Sequence, residues 1–338
     1  MPIELRRRRA LRLAWGTALC LAASYGIGLP IPFLAPVLAV LLLAMRAQAL
    51  PLKAAPTLAV LVLLSCGVGL LLIPLLRHAP FSGVLLVGVG LYGVFRYALR
   101  GGNGLLANLL VIGLTMIAAA GTSDFTLALS VVEALAKGML LAVLSTAVAH
   151  ALFPEPAHAP SPPAPPLPSE DDAAWIALRA VLIVMPAFLL AIIAPDRFMP
   201  LIMKSVSLGQ QAGETRARHA SRELIGSTLL AGVLAILVWG ALSLFVHLWM
   251  FFLWVLLATL WQGRRLYAVV ATRKSPAYWV SCLTTVLILL GQSVADSAGG
   301  QDVYRAFAVR MALFLAVSLY ASGMLIWIDR RRARVRPA

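Results

Sequence analysis

The sequence predicts an all-α polytopic membrane protein. Apolar residues fill 61% of its 338 positions, charged residues only 12%, and the charges fall in short runs between long apolar stretches. A soluble domain carries charge at about a quarter of its positions, and one spanning helix needs about 20 apolar residues. The chain therefore has room for about 12 transmembrane helices, with 10 to 12 as the working range.

The first span, near 11–28, follows the basic run Arg6 to Arg9. It opens like a secretory signal, but no small-residue cleavage site follows, so it reads as an uncleaved anchor. Pro30 and Pro32 turn the chain into a second span near 31–46. Further spans lie near 57–76, 81–99, 105–121 and 125–152, with GGNG at 101–104 forming a turn.

Residues 153–172, FPEPAHAPSPPAPPLPSEDD, break the apolar pattern. Their prolines remove backbone donors and prevent helix. A polyproline strut rises about 3.1 Å per residue, so this stretch reaches roughly 60 Å. Glu170, Asp171 and Asp172 then fall at the start of the next helix, where negative charge favours the helix dipole.

The second series runs near 174–194, 198–211, 224–244, 246–263, 276–294 and 303–328. The segment 198–211 is short and carries Lys204, which leaves a re-entrant or broken helix open. The expected organisation is an N-terminal transmembrane half (1–152), a Pro-rich cytoplasmic linker (153–172) and a C-terminal transmembrane half (173–338).

The net charge of +15 is topogenic, not a nucleic-acid footprint. Placing the N-terminus inside puts about 20 Lys and Arg on the cytoplasmic side, against Arg77, Arg197 and Arg305 opposite. Both termini are then cytoplasmic. The halves resemble each other at three places in the same order. Arg12 in LRLAWGTAL matches Arg179 in IALRAVLIV, LPIPFLAPV matches PDRFMPLI, and helices led by Asp124 and Asp302 close each half. Six spans per half makes these parallel repeats.

A charge at the bilayer centre costs about 2.5–3.5 kcal/mol on insertion scales, so each one asks for a reason. At 1.5 Å per residue, Glu133 lies roughly 12 Å, Arg310 about 10 Å and Lys204 about 9 Å below the outer surface. Arg310 and Lys204 are candidate ligands for a carboxylate, or else members of structural ion pairs, with Glu133 the expected partner of Arg310. Glu133 and Lys137, four apart, either neutralise each other or carry a proton-linked role. Phe33 and Phe198, at matching places in the repeats, are candidate pocket walls. Arg12 and Arg179 are expected to snorkel to the inner headgroups. Asp124, Asp296 and Asp302 should be solvated loop or cap residues. Trp239, Trp249, Trp254, Trp261 and Trp279 fit an interfacial belt.

Cys20, Cys66 and Cys282 sit apart in apolar runs and read as small hydrophobes. There is no phosphate loop, HExxH, metal-ligand spacing or Ser–His–Asp set in the sequence, so no cofactor and no metal are expected.

The opening RRRRALRLAWGTALCLAASYGIGLPIPFLAPVLAVLLLA, with Arg12, Gly16 and Thr17 followed by Pro30, Pro32, Phe33 and Pro36, resembles the fusaric acid resistance/aromatic acid exporter family of Gram-negative bacteria. The six-plus-six layout and the arginine-bearing last helix around Arg310 fit the same family. Larger members carry a cytoplasmic domain where this chain has only 153–172, so it resembles a compact branch. The resemblance implies proton-coupled export of aromatic or related organic acids. It also implies work beside a periplasmic membrane-fusion adaptor and an outer-membrane channel. The expected partners are a small organic anion and membrane lipids, with a homo-oligomer left open and nucleic acid not expected. Two alternatives remain: a non-transporting scaffold for the adaptor, and an intramembrane lipid-processing enzyme.

Overall fold

A computed structural model describes residues 2–45, 55–155, 167–214 and 217–335. Among them there are no strands, and twelve helical segments follow one another. They are α1 (Ile3–Gly26), α2 (Leu34–Met45), α3 (Ala55–His78), α4 (Pro80–Leu99), α5 (Gly104–Ser123) and α6 (Phe125–Leu152). The second series is α7 (Glu170–Ile193), α8 (Pro195–Glu214), α9 (Ala217–Leu244), α10 (Leu248–Leu266), α11 (Pro276–Ala298) and α12 (Val303–Val335).

The protein is an all-α polytopic membrane protein. Among the described residues eight helices are long and apolar enough to cross a membrane: α3, α4, α5, α6, α7, α9, α11 and α12. The expected 10 to 12 thus divide into these eight and four others. Helix α2 has only 12 residues, and α1 begins with four arginines. Helix α10 is tryptophan-rich and ends on Arg264 and Arg265. Helix α8 mixes apolar residues with Lys204 and two glutamines, yet runs unbroken for 20 residues across Pro200.

Short connections carry their own stop signals. Gly28, at φ +66°, turns the chain between α1 and α2, a left-handed conformation that costs glycine little. A single residue, Ala79, separates α3 from α4, and Pro80 opens α4. Asn103 caps α5 by accepting from the amides of Leu105 and Leu106. Asp302 caps α12 by accepting from Tyr304 and Arg305, as the sequence reading expects of it.

The chain packs as two compact units that do not follow the sequence halves. The first comprises 1–54, 133–164 and 227–311; the second comprises 55–132, 165–226 and 312–338. In the first unit α1 lies along α10 and α2, and α11 packs on α2 and α10. Edge-on rings line the α1–α10 seam: Trp15 on Phe252 at 5.6 Å and Tyr25 on Phe251 at 5.4 Å between centroids. In the second unit α7 and α8 form a hairpin, α4 packs on α7, and α3 runs against α4 and α5. Ile183, Leu208, Leu224, Ala321 and Leu325 form a buried cluster there.

The division draws on both sequence halves. Helices α1 and α2 go to the first unit, and α7 and α8 to the second. Helices α3, α4 and α5 go to the second, while α10, α11 and most of α9 go to the first. Each unit thus combines the opening pair of one half with the middle helices of the other. Helices α6 and α12 contribute to both units in opposite senses.

Candidate functional site

Buried charge in a membrane protein is costly, so the site is sought where the structure encloses it. In the first unit, three segments meet at the end carrying the N-terminal arginines. Arg9 of α1 donates from Nε and Nη2 to the two carboxylate oxygens of Glu155, at 2.8 and 3.0 Å. Arg12, one turn further along α1, forms an ion pair with the same carboxylate. All three side chains are at most 7% exposed. The two parallel bonds from Arg9 are the fork geometry in which guanidinium suits carboxylate best. Nearby, Arg8 donates to the Pro154 carbonyl at 3.0 Å, and Arg6 to that of Ala268 at 3.2 Å. Burial holds the Arg9 guanidinium below its ordinary value, the neighbouring Tyr267 opposing the shift. Burial likewise pushes the Tyr267 hydroxyl up to about 12, and that hydroxyl donates to the Leu43 carbonyl at 3.2 Å.

A second buried pair joins α11 and α12 of the same unit. Both guanidinium nitrogens of Arg310 donate to the carboxylate of Asp296, one of them at 2.6 Å. Asp296 is therefore not a solvated loop residue but a buried counter-charge. Glu133, the partner expected for Arg310, instead accepts from Lys137 at 2.5 Å on its own helix, and both side chains are exposed. Phe33 is buried over Gly291 of α11, about 7 Å along that helix from Asp296 at 1.5 Å per residue.

In the second unit Lys204 is fully enclosed in α8. Arg179 of the adjacent α7 is also buried, so neither it nor Arg12 reaches out to the headgroups as expected. The hairpin register sets Gly209 against Ala180 and Val184. That places Lys204 level with about residue 187, roughly 12 Å along α7 from Arg179. Phe198 is half-buried in the first turns of α8.

Helix α5 contains a π-helical turn at Gly113–Ile117. Ser65 of α3 donates its hydroxyl to the Leu109 carbonyl, and Thr115 donates to that of Val111 at 2.6 Å. Hydroxyls competing for ladder carbonyls loosen the helix at that point, and such turns recur at functional sites.

Residues 9–149 match the model of a family described as a protein of unknown function (DUF2955). That span covers the first six helices from Arg9 onward and includes Arg12, Phe33, Glu133 and Lys137. No curated protein and no solved structure matches the chain.

Other expectations meet their neighbours here. The three cysteines are buried, and none of them is in a disulfide among the described residues. Trp249 is exposed as a belt residue would be, but Trp279 is buried. Trp279 meets Trp261 edge-on at 6.0 Å, and the Arg265 guanidinium lies 3.7 Å from the centre of the Trp261 ring. Asp124 is exposed, and its carboxylate accepts from the Thr126 amide and hydroxyl, which hold it below its ordinary value.

The sequence reading missed Glu155, Tyr267 and the role of Asp296. A lone carboxylate directly after a spanning helix, on the side where arginines gather, was the available signal for Glu155. Its flanking prolines had assigned it to a solvated strut.

Proposed function

We propose that this protein is an inner-membrane exporter of aromatic or related organic acids, driven by the proton gradient. The observation that carries the reading is Lys204, an ammonium-bearing side chain fully enclosed within a polytopic helical protein. Burying such a group is costly, and sites of this kind mark substrate and ion pathways. Lys204 and Arg179 are buried in one unit, as is Glu223, and Arg310 pairs with Asp296 in the other; basic groups of this kind suit an anionic substrate that exchanges with an internal carboxylate. The aromatic preference and the work beside a periplasmic adaptor and an outer-membrane channel rest on the family resemblance.

Arg310 adds a coupling step. A substrate carboxylate that takes the same edge of the guanidinium displaces Asp296, and proton coupling would act through that exchange. Asp296 thus takes the proton-linked role that the sequence suggested for Glu133. Lys204 and Arg310 lie in different units and act as separate stations in this scheme.

The test is uptake of labelled 4-hydroxybenzoate into inverted membrane vesicles with an acidic interior. Uptake should require the gradient and should fall at least tenfold in Lys204→Met at equal protein level. Gradient-independent uptake, or a fully active Lys204→Met, overturns the reading.

A further inference from the structure

We propose that the N-terminal end of the first unit is a carboxylate-binding site, and that Glu155 occupies it as a tethered internal anion. The ligand class is a free organic acid, which presents the same two oxygens as the glutamate side chain.

The site is built on regular structure and the occupant is not. Arg9 and Arg12 lie one turn apart on α1, so both guanidinium groups reach the same side of that helix. Tyr267 follows the last turn of α10, which packs along α1, and its hydroxyl is tied to the end of α2. These elements belong to the packed body of the first unit. Glu155 comes three residues after α6 ends, in non-helical chain at the head of the proline-rich segment. Its carboxylate nevertheless takes the two-point fork of Arg9 and the contact of Arg12.

Specific recognition of a carboxylate uses this arrangement: bidentate guanidinium, a second cation, and exclusion of water. A merely topogenic arginine run needs none of it. The surrounding charge is net positive: Glu4 offsets Arg7, while the described bonds of Arg6 and Arg8 go to neutral carbonyls and do not cancel their charge. An incoming anion is therefore drawn to this end.

A tethered group competes with free ligand at an effective concentration in the millimolar range for a short linker. Glu155 therefore sets a threshold: free acid binds only where it outcompetes the tether. Removing the charge at 155 while keeping the side-chain shape lowers that threshold. The inference supplies a ligand class and a location for the export reading, yet its test measures binding and needs no transport.

The full-length protein is placed in phosphatidylcholine nanodiscs, and thermal unfolding is followed against benzoate, with benzamide as the neutral control. Glu155→Gln should respond to benzoate at a concentration at least tenfold below that needed by wild type, and neither should respond to benzamide. Adding Arg9→Gln to Glu155→Gln should abolish the response. Glu155→Asp keeps the charge but shortens the side chain; it should fall between the two and serves where the glutamine variant does not fold. If the variants lose stability and benzoate raises none of their midpoints, Glu155 is a structural clip and the inference fails. If phosphatidylglycerol stabilises Glu155→Gln and benzoate does not, the site takes lipid phosphate and the organic-acid assignment fails.

Discussion

Gly113 shows how a single residue fixes local architecture. It lies where the backbone of α5 passes closest to α3, and a methyl group there would meet the Ser65 carbonyl. Gly113→Ala should cost about 1–3 kcal/mol through overpacking, read as a lower thermal midpoint in detergent. Tyr267 makes a different prediction, one of pH. Its folded-state value, about 12, lies above the ordinary tyrosine value because burial favours the neutral hydroxyl. The unfolded chain loses that proton first, so the contribution is complete below about pH 10 and is lost as pH rises toward about 12. Tyr267→Phe should lose about 1 kcal/mol at neutral pH with the bond to Leu43, and its alkaline limb should be flatter than that of wild type. At this scale the sequence was legible in kind but not in partners. It marked Arg12, Lys204 and Arg310 as needing an explanation. The partner of Arg310 could not be read by scanning one turn either way along its own helix. Asp296 lies 14 residues upstream, across the turn at Gly299 and Gly300.

Among elements, the α11–α12 pair depends on that ion pair. Asp296→Asn leaves the Arg310 guanidinium without its counter-charge and should cost about 3 kcal/mol, the lower end for a broken buried pair because Arg310 keeps some solvent contact. The double variant Arg310→Met/Asp296→Leu should recover most of that loss in chemical unfolding, since paired apolar replacement removes both desolvated charges. Ser169 begins α7 by accepting from the Asp172 amide, and Ser169→Ala should cost about 1 kcal/mol. Helix identities were legible because long apolar runs admit little else in a membrane. Helix α8 was harder: Pro200 and Lys204 looked like interruptions. Pro200, the sixth residue of α8, cannot donate the ladder bond of its turn, yet the helix runs on through it.

For the whole molecule, each of the two units draws on both halves of the sequence. Glu155 and Glu170, at either end of the proline-rich segment, are held by arginines of different units: Arg9 and Arg12 at one end, Arg96 and Arg100 at the other. Expression of residues 1–160 or 161–338 alone should give protein that is degraded or aggregated. Co-expression of the two pieces should restore a complex that copurifies. Stable accumulation of either piece alone would show that the shared packing is dispensable. The sequence offered three weak matches between its halves, but which helices of each half would share a unit was not legible in it. That choice is made by side-chain fit between helices more than 200 residues apart, such as Trp15 with Phe252.

The lending of helices also sets a clock for biosynthesis. Helix α1 is finished at Gly26, while its principal neighbour α10 begins only at Leu248. At about 5–20 residues per second, roughly 220 residues of synthesis separate the two, on the order of 10–45 s. Through that interval α1 can pack on α2 but lacks α10. The nascent chain is therefore exposed to quality-control proteases until α10 arrives, and an arrest placed just before α10 should leave it more protease-sensitive than one placed just after α10.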